Sequence, residues 1–115
     1  MITEEICNAR IRSTFLGFSE TGPFTAVIQL EVGGPILEFG RLILDRYDGK
    51  SPVTGTPFGH EFVIRTIRTV GVDSWEALKG QHCRIARAGT TVLRIGNIVD
   101  NIWFDPVQLL KEIGS

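Results

Sequence analysis

Two cysteines, Cys7 and Cys83, are all that this 115-residue chain contains, far apart and without CxxC spacing. That pattern argues against a disulfide framework and against a cysteine-bound zinc. A reducing, cytoplasmic setting is therefore the expectation. No apolar run approaches the roughly 18 residues of a membrane span, and no charged-then-apolar leader is visible. The phosphate-cradling patterns GxxxxGKS and GxGxxG are missing. No pair of carboxylates has a spacing suited to acid/base work: Asp45 and Asp48 fall in a predicted loop, and Glu61 is one helical turn from Arg65. His82 adjoins Cys83, but neighbours on a strand point to opposite faces, so the imidazole is not placed to activate the thiol. Neither an enzyme nor a cofactor or metal is expected. Basic excess is absent too: the net charge is −1, which disfavours a general nucleic-acid binder.

What the chain does have is an ordinary globular composition, with 43% hydrophobic and 22% charged residues, enough for one core over residues 1–115. Its bases are mostly arginine, nine against three lysines. Guanidinium grips phosphate with a planar fork and stacks on rings. From His60 to Arg94 six bases stand against three acids, a local excess suited to a compact anion.

The strongest local signals run over residues 56–84. Thr56 before Pro57 reads as a helix N-cap with proline at the first position. Around the helix that follows, Phe62, Thr66, Val70, Val63, Ile67 and Ile64 share one arc. Arg65 and Arg68 share the rest with Glu61. Gly71 ends it. Asp73 and Glu76 predict a second, short helix, and residues 81–86 alternate as a strand that sets Arg84 opposite Cys83 and Ile85.

Upstream, alternation predicts strands at 7–18 and 24–32, joined by the turn 19–23. A third is expected at 37–45. Its alternation assigns Gly40, Leu42 and Leu44 to the core and Phe39 and Arg41 to the opposite face. Either Phe39 covers the core edge with Arg41 over it, or the pair forms a stacking platform for a base beside a phosphate grip. Gly40 marks a bulge or a close backbone approach. Residues 1–6 read as a frayed arm and 45–55 as one long surface loop. A fifth strand over 91–99, and a last helix capped by Asp105 before Pro106, complete the chain. The expected fold is α+β: an antiparallel sheet of about five strands, one main helix and two short ones. Exposed Phe39, Trp103 and Phe104 would leave apolar surface that predicts self-association.

The runs NARIRSTFLGF, FGRLILD, GTPFGHEFVIRTIRTVGVDSWEALKGQHCRI and IGNIVDNIWFDP together resemble a family of small phage and prophage proteins. That family includes the first-described Thoeris anti-defence proteins, which act as sponges for a cyclic ADP-ribose signal. The resemblance implies a protein that holds a small cyclic nucleotide, a cyclic ADP-ribose isomer or a cyclic oligonucleotide, at a subunit boundary without cleaving it. It implies Phe39 as the stacking residue and Arg65 and Arg84 as phosphate grips; Arg41 and Arg68 join them as ligand-binding candidates from the reading of the strand and the helix face. This chain has Phe39-Gly40-Arg41 where the family reads FGG. The other reading of the same arginines is as anchors of a protein–protein module or inhibitor with no nucleotide ligand.

Overall fold

Thr56 does what its position predicts: its hydroxyl accepts from the Gly59 amide at 3.0 Å and donates to the Leu44 carbonyl at 2.9 Å. The cap thereby starts helix α1, Pro57–Val70, and ties it to the end of the preceding strand. Gly71 closes the helix in the left-handed conformation, φ 93°. The computed structural model describes residues 3–46 and 54–113.

Around α1 the chain builds one six-stranded antiparallel sheet. Its strands are β1 (Glu5–Phe18), β2 (Phe24–Glu31) and β3 (Ile36–Ile43), then β6 (His82–Ala88), β7 (Thr91–Gly96) and β8 (Trp103–Phe104), with α2 (Pro106–Ile113) last. The order across the sheet is β3-β2-β1-β6-β7-β8. Two further strands, β4 (Asp45–Arg46) and β5 (Thr54–Gly55), pair with each other between β3 and α1. The sheet curls until β3 comes back towards β7. Its inner face and α1 enclose the core.

The α+β class with one main helix is as expected, and several boundaries are not. The ribbon β4–β5 replaces the ends of the loop predicted at 45–55, whose residues 47–53 lie outside the described ones. β1 begins at Glu5, inside the expected arm, because residues 5–10 find a partner strand in β6. The fifth predicted strand stops at Gly96, and Trp103–Phe104 adds a short sixth. The second predicted helix is a single 3-10 turn, Glu76–Leu78. There Trp75, not Asp73, holds the cap position without a side-chain cap bond, and the Ser74 hydroxyl accepts from the Ala77 amide at 3.2 Å. Asp105 caps α2 as expected, accepting from Val107 and Gln108.

Phe39 is where the structure departs most from the alternation. It is 1% exposed, stacked on Phe62 at 5.7 Å and edge-on to Phe104 at 6.0 Å. Leu37 is buried with it. The face assignment reverses because β3 carries a bulge: Val27 pairs with Gly40 and Ala26 with Leu42, which leaves Arg41 as the extra residue. Gly40 is required there. Its φ is 103°, and a Cβ would overlap the Ala26 carbonyl oxygen. Counting by twos across a bulge inverts every later residue.

Candidate ligand-binding site

The five residues singled out by sequence lie in four places. Phe39 is inside the core, so in this fold it offers no ring to a ligand. The other four are arginines, in three different surroundings.

Arg65 and Arg68 project from α1 towards α2 and border a cleft of about 420 Å³ with Asp105, Gln108 and Glu112. Arg65 donates to Glu61 at 3.1 Å and lies 3.7 Å from Glu112. Arg65 is thereby occupied by carboxylates on two sides. The Arg65–Glu61 pair is the surface ion pair that one helical turn allows.

Arg84 is on the other side of the sheet, since Cys83 and Ile85 on either side of it point into the core. It donates from Nε to the Asn97 carbonyl and from Nη2 to the Asp100 carbonyl, both at 2.7 Å. Its guanidinium stands over the Trp103 ring at 5.1 Å, and that of Arg94 at 5.2 Å. Arg94 is itself paired with Glu4. Arg84 thus fastens the 97–100 turn, with both of its hydrogen bonds given to backbone carbonyls there. Asn97 completes the fastening. Its amide donates to the Thr69 and Val70 carbonyls at the end of α1, and its side-chain oxygen accepts from the Val99 and Asp100 amides.

Arg41 is different. The bulge throws it onto the outer sheet face, with φ 59°. Its Nε and Nη2 donate to the two oxygens of Glu38 at 3.0 and 2.8 Å. That bidentate pair holds the Glu38 carboxyl below the usual glutamate value, with a lesser contribution from Gln29, and raises Arg41. Ser13 in turn donates to Gln29 Oε1 at 2.9 Å. A polar rung therefore crosses three strands, Ser13–Gln29–Glu38, and ends on Arg41, whose side chain is 60% exposed.

Arg41 also borders an open cleft of about 480 Å³ on that face, shared with Ser13, Phe15, Phe18, Thr25 and Val27. Phe15 is 46% and Phe18 61% exposed. The Phe15 ring lies against Gly17, and Phe18 meets Phe24 edge-on at 5.1 Å. Here arginine and exposed aromatic rings come together, the combination expected of Phe39. Sequence reading passed over Phe15 and Phe18 as ordinary strand residues. Alternation sets Phe15 on the same face as Ala9 and Ile11, but the register shift between Ile11 and Ser13 turns it away from them, and it is exposed where they are buried.

A second cleft, of about 570 Å³, lies between the end of β3 and α2. Leu42, Ile43, Val107 and Leu110 line it, Ile43 and Val107 being 64% and 61% exposed. The apolar surface expected at Phe39 and Phe104 is buried, and Ile43 and Val107 are among the residues that carry exposed apolar area. Among the described residues no cluster of His, Cys, Asp or Glu is placed to hold a metal. No helix among them is long and apolar enough to cross a membrane. Comparisons of the chain with family models, with curated proteins and with solved structures find no match.

Proposed function

We propose that the protein is a non-catalytic binding module that sequesters a small cyclic nucleotide, of the cyclic ADP-ribose or cyclic oligonucleotide type, in the outer-face cleft. In this reading it is a phage or prophage anti-defence protein acting as a homo-oligomer in the bacterial cytoplasm. The observation that carries it is one place: an exposed, carboxylate-clamped Arg41 guanidinium and two exposed phenyl rings on one cleft. A base stacked on phenylalanine gains about 1–3 kcal/mol. Each hydrogen bond between guanidinium and phosphate adds about 1.5–3 kcal/mol. Nanomolar retention needs about −12 kcal/mol, so backbone amides, burial and a second subunit must supply the rest.

The test is a melting-temperature screen of the full chain against cyclic ADP-ribose isomers and cyclic oligonucleotides. A ligand at several hundred times its Kd raises stability by about 3 kcal/mol. The bound ligand should be recovered intact. If no nucleotide shifts the melt, the reading fails, and the apolar cleft beside Ile43 and Val107 favours a protein–protein module in its place. Turnover of the recovered ligand would make the protein an enzyme.

A further inference from the structure

Strand β3 reads Ile36-Leu37-Glu38-Phe39-Gly40-Arg41-Leu42-Ile43, nearly the same from either end. Apolar residues close both ends, and a carboxylate and a guanidinium flank the centre at equal distances. In a regular strand this symmetry would be useless. Residues related by a two-fold axis between Phe39 and Gly40 differ by an odd number, so they would point to opposite faces. The bulge removes that mismatch. Ile36 pairs with Glu31, Glu38 with Gln29 and Ile43 with Thr25, and Arg41 meets Glu38 side by side, which sets all four on the outer face. Leu37 and Leu42 share the inner one. The outer row is therefore apolar, negative, positive, apolar, and turned end for end it complements itself. Every member is accessible: Ile36 is 37% and Ile43 64% exposed, and the Glu38 and Arg41 side chains are 39% and 60% exposed. β3 also ends the sheet order, with β2 its neighbouring strand.

We infer that β3 is the seam of a two-fold symmetric dimer. Two copies of this chain lie antiparallel along it, Ile36 against Ile43 of the partner subunit and Glu38 against Arg41 of the partner subunit. An isologous contact needs a patch complementary to itself, and the sign of the charges supplies the register. A shift by two residues along the seam sets Glu38 against an isoleucine and leaves Arg41 only the Glu38 of its own chain. The inference deepens the self-association in the proposed function, and Arg41 belongs both to the seam and to the proposed nucleotide cleft.

The experiment uses charge reversal and no ligand. A Glu38→Arg chain carries two cations at the seam and an Arg41→Glu chain two anions, so neither pairs with itself, but each complements the other. Light scattering and native mass spectrometry of the full chain should give a dimer for the wild type, and a monomer for each variant alone. An equimolar mixture should return a heterodimer of the two masses. Ile43→Asp, at a position 64% exposed, should give a folded monomer with an unchanged circular dichroism spectrum. A wild type that stays monomeric at hundreds of micromolar overturns the inference, as do single variants that remain dimers or a mixture that fails to associate. A monomer that still binds nucleotide overturns this seam and leaves the ligand reading standing; a dimer blind to every nucleotide does the reverse.

Discussion

Arg41 holds a backbone conformation that, among the described residues, only glycine otherwise adopts. An L side chain in the left-handed region costs about 1–2 kcal/mol, and strain of this kind collects where function over-determines the backbone. Arg41→Gly relieves it, while glycine's freer unfolded chain takes back about 0.4–1 kcal/mol and the lost exposed ion pair up to about 1 kcal/mol. The expected outcome in urea denaturation is stability unchanged within about 1 kcal/mol, with nucleotide affinity reduced at least tenfold. The same substitution should raise the Glu38 carboxyl back towards the ordinary glutamate range, since Arg41 is the main cause of its depression, read by side-chain NMR titration. The sign follows from the depressed folded value: the pair stabilises the fold above the free glutamate value, and that contribution is lost as pH falls through the folded one. Phe39 belongs to the opposite class. Phe39→Ala removes a buried ring between Phe62 and Phe104 and should cost about 3–5 kcal/mol, so any loss of binding it causes reflects unfolding. At Cys83, burial pushes the thiol up to about 12. A thiol reagent should therefore label at most Cys7 in the native chain and both cysteines once it is unfolded.

Elements whose local chemistry is self-sufficient were legible in the sequence. Thr56-Pro57 and Asp105-Pro106 fix helix starts without reference to the rest of the fold, and the arc of Phe62, Thr66 and Val70 does face the core. Elements that depend on a distant partner were not. β3 was misassigned because one bulge, forced by Gly40 against the Ala26 carbonyl, inverts its faces. β8 has two residues and exists through its pairing with Ile95 and Gly96. Gly59 is a related case. Helix propensity favours alanine there by about 1 kcal/mol, but a Cβ would overlap the Leu44 carbonyl oxygen, and overpacking against backbone costs about 1–3 kcal/mol. Gly59→Ala should therefore destabilise, and a rise in the urea midpoint would show that α1 can move away from β3. The arginines followed the same division. Arg65 and Glu61 are one turn apart and were readable as a pair, whereas the attachment of Arg84 to the 97–100 turn required the tertiary fold.

For the whole molecule, the curled sheet separates structure from function. One face and α1 take up Phe39, Phe58, Phe62 and Phe104 as core, and the other face is left to Arg41, Phe15 and the polar rung between them, with Phe18 at the border of the same cleft. The central claim is that this outer face, and not Phe39 or the α1 arginines, holds a small nucleotide. Calorimetric titration of a nucleotide that raises the melting temperature, into wild type and into Phe15→Ala, Arg41→Ala and Arg68→Ala chains, tests it most directly. The account predicts that Phe15→Ala and Arg41→Ala each weaken binding at least tenfold at nearly unchanged melting temperature, and that Arg68→Ala leaves the affinity within about twofold. These margins correspond to roughly 1.4 kcal/mol for each tenfold change. Full affinity in the Arg41→Ala chain, or a selective loss in Arg68→Ala, would contradict it.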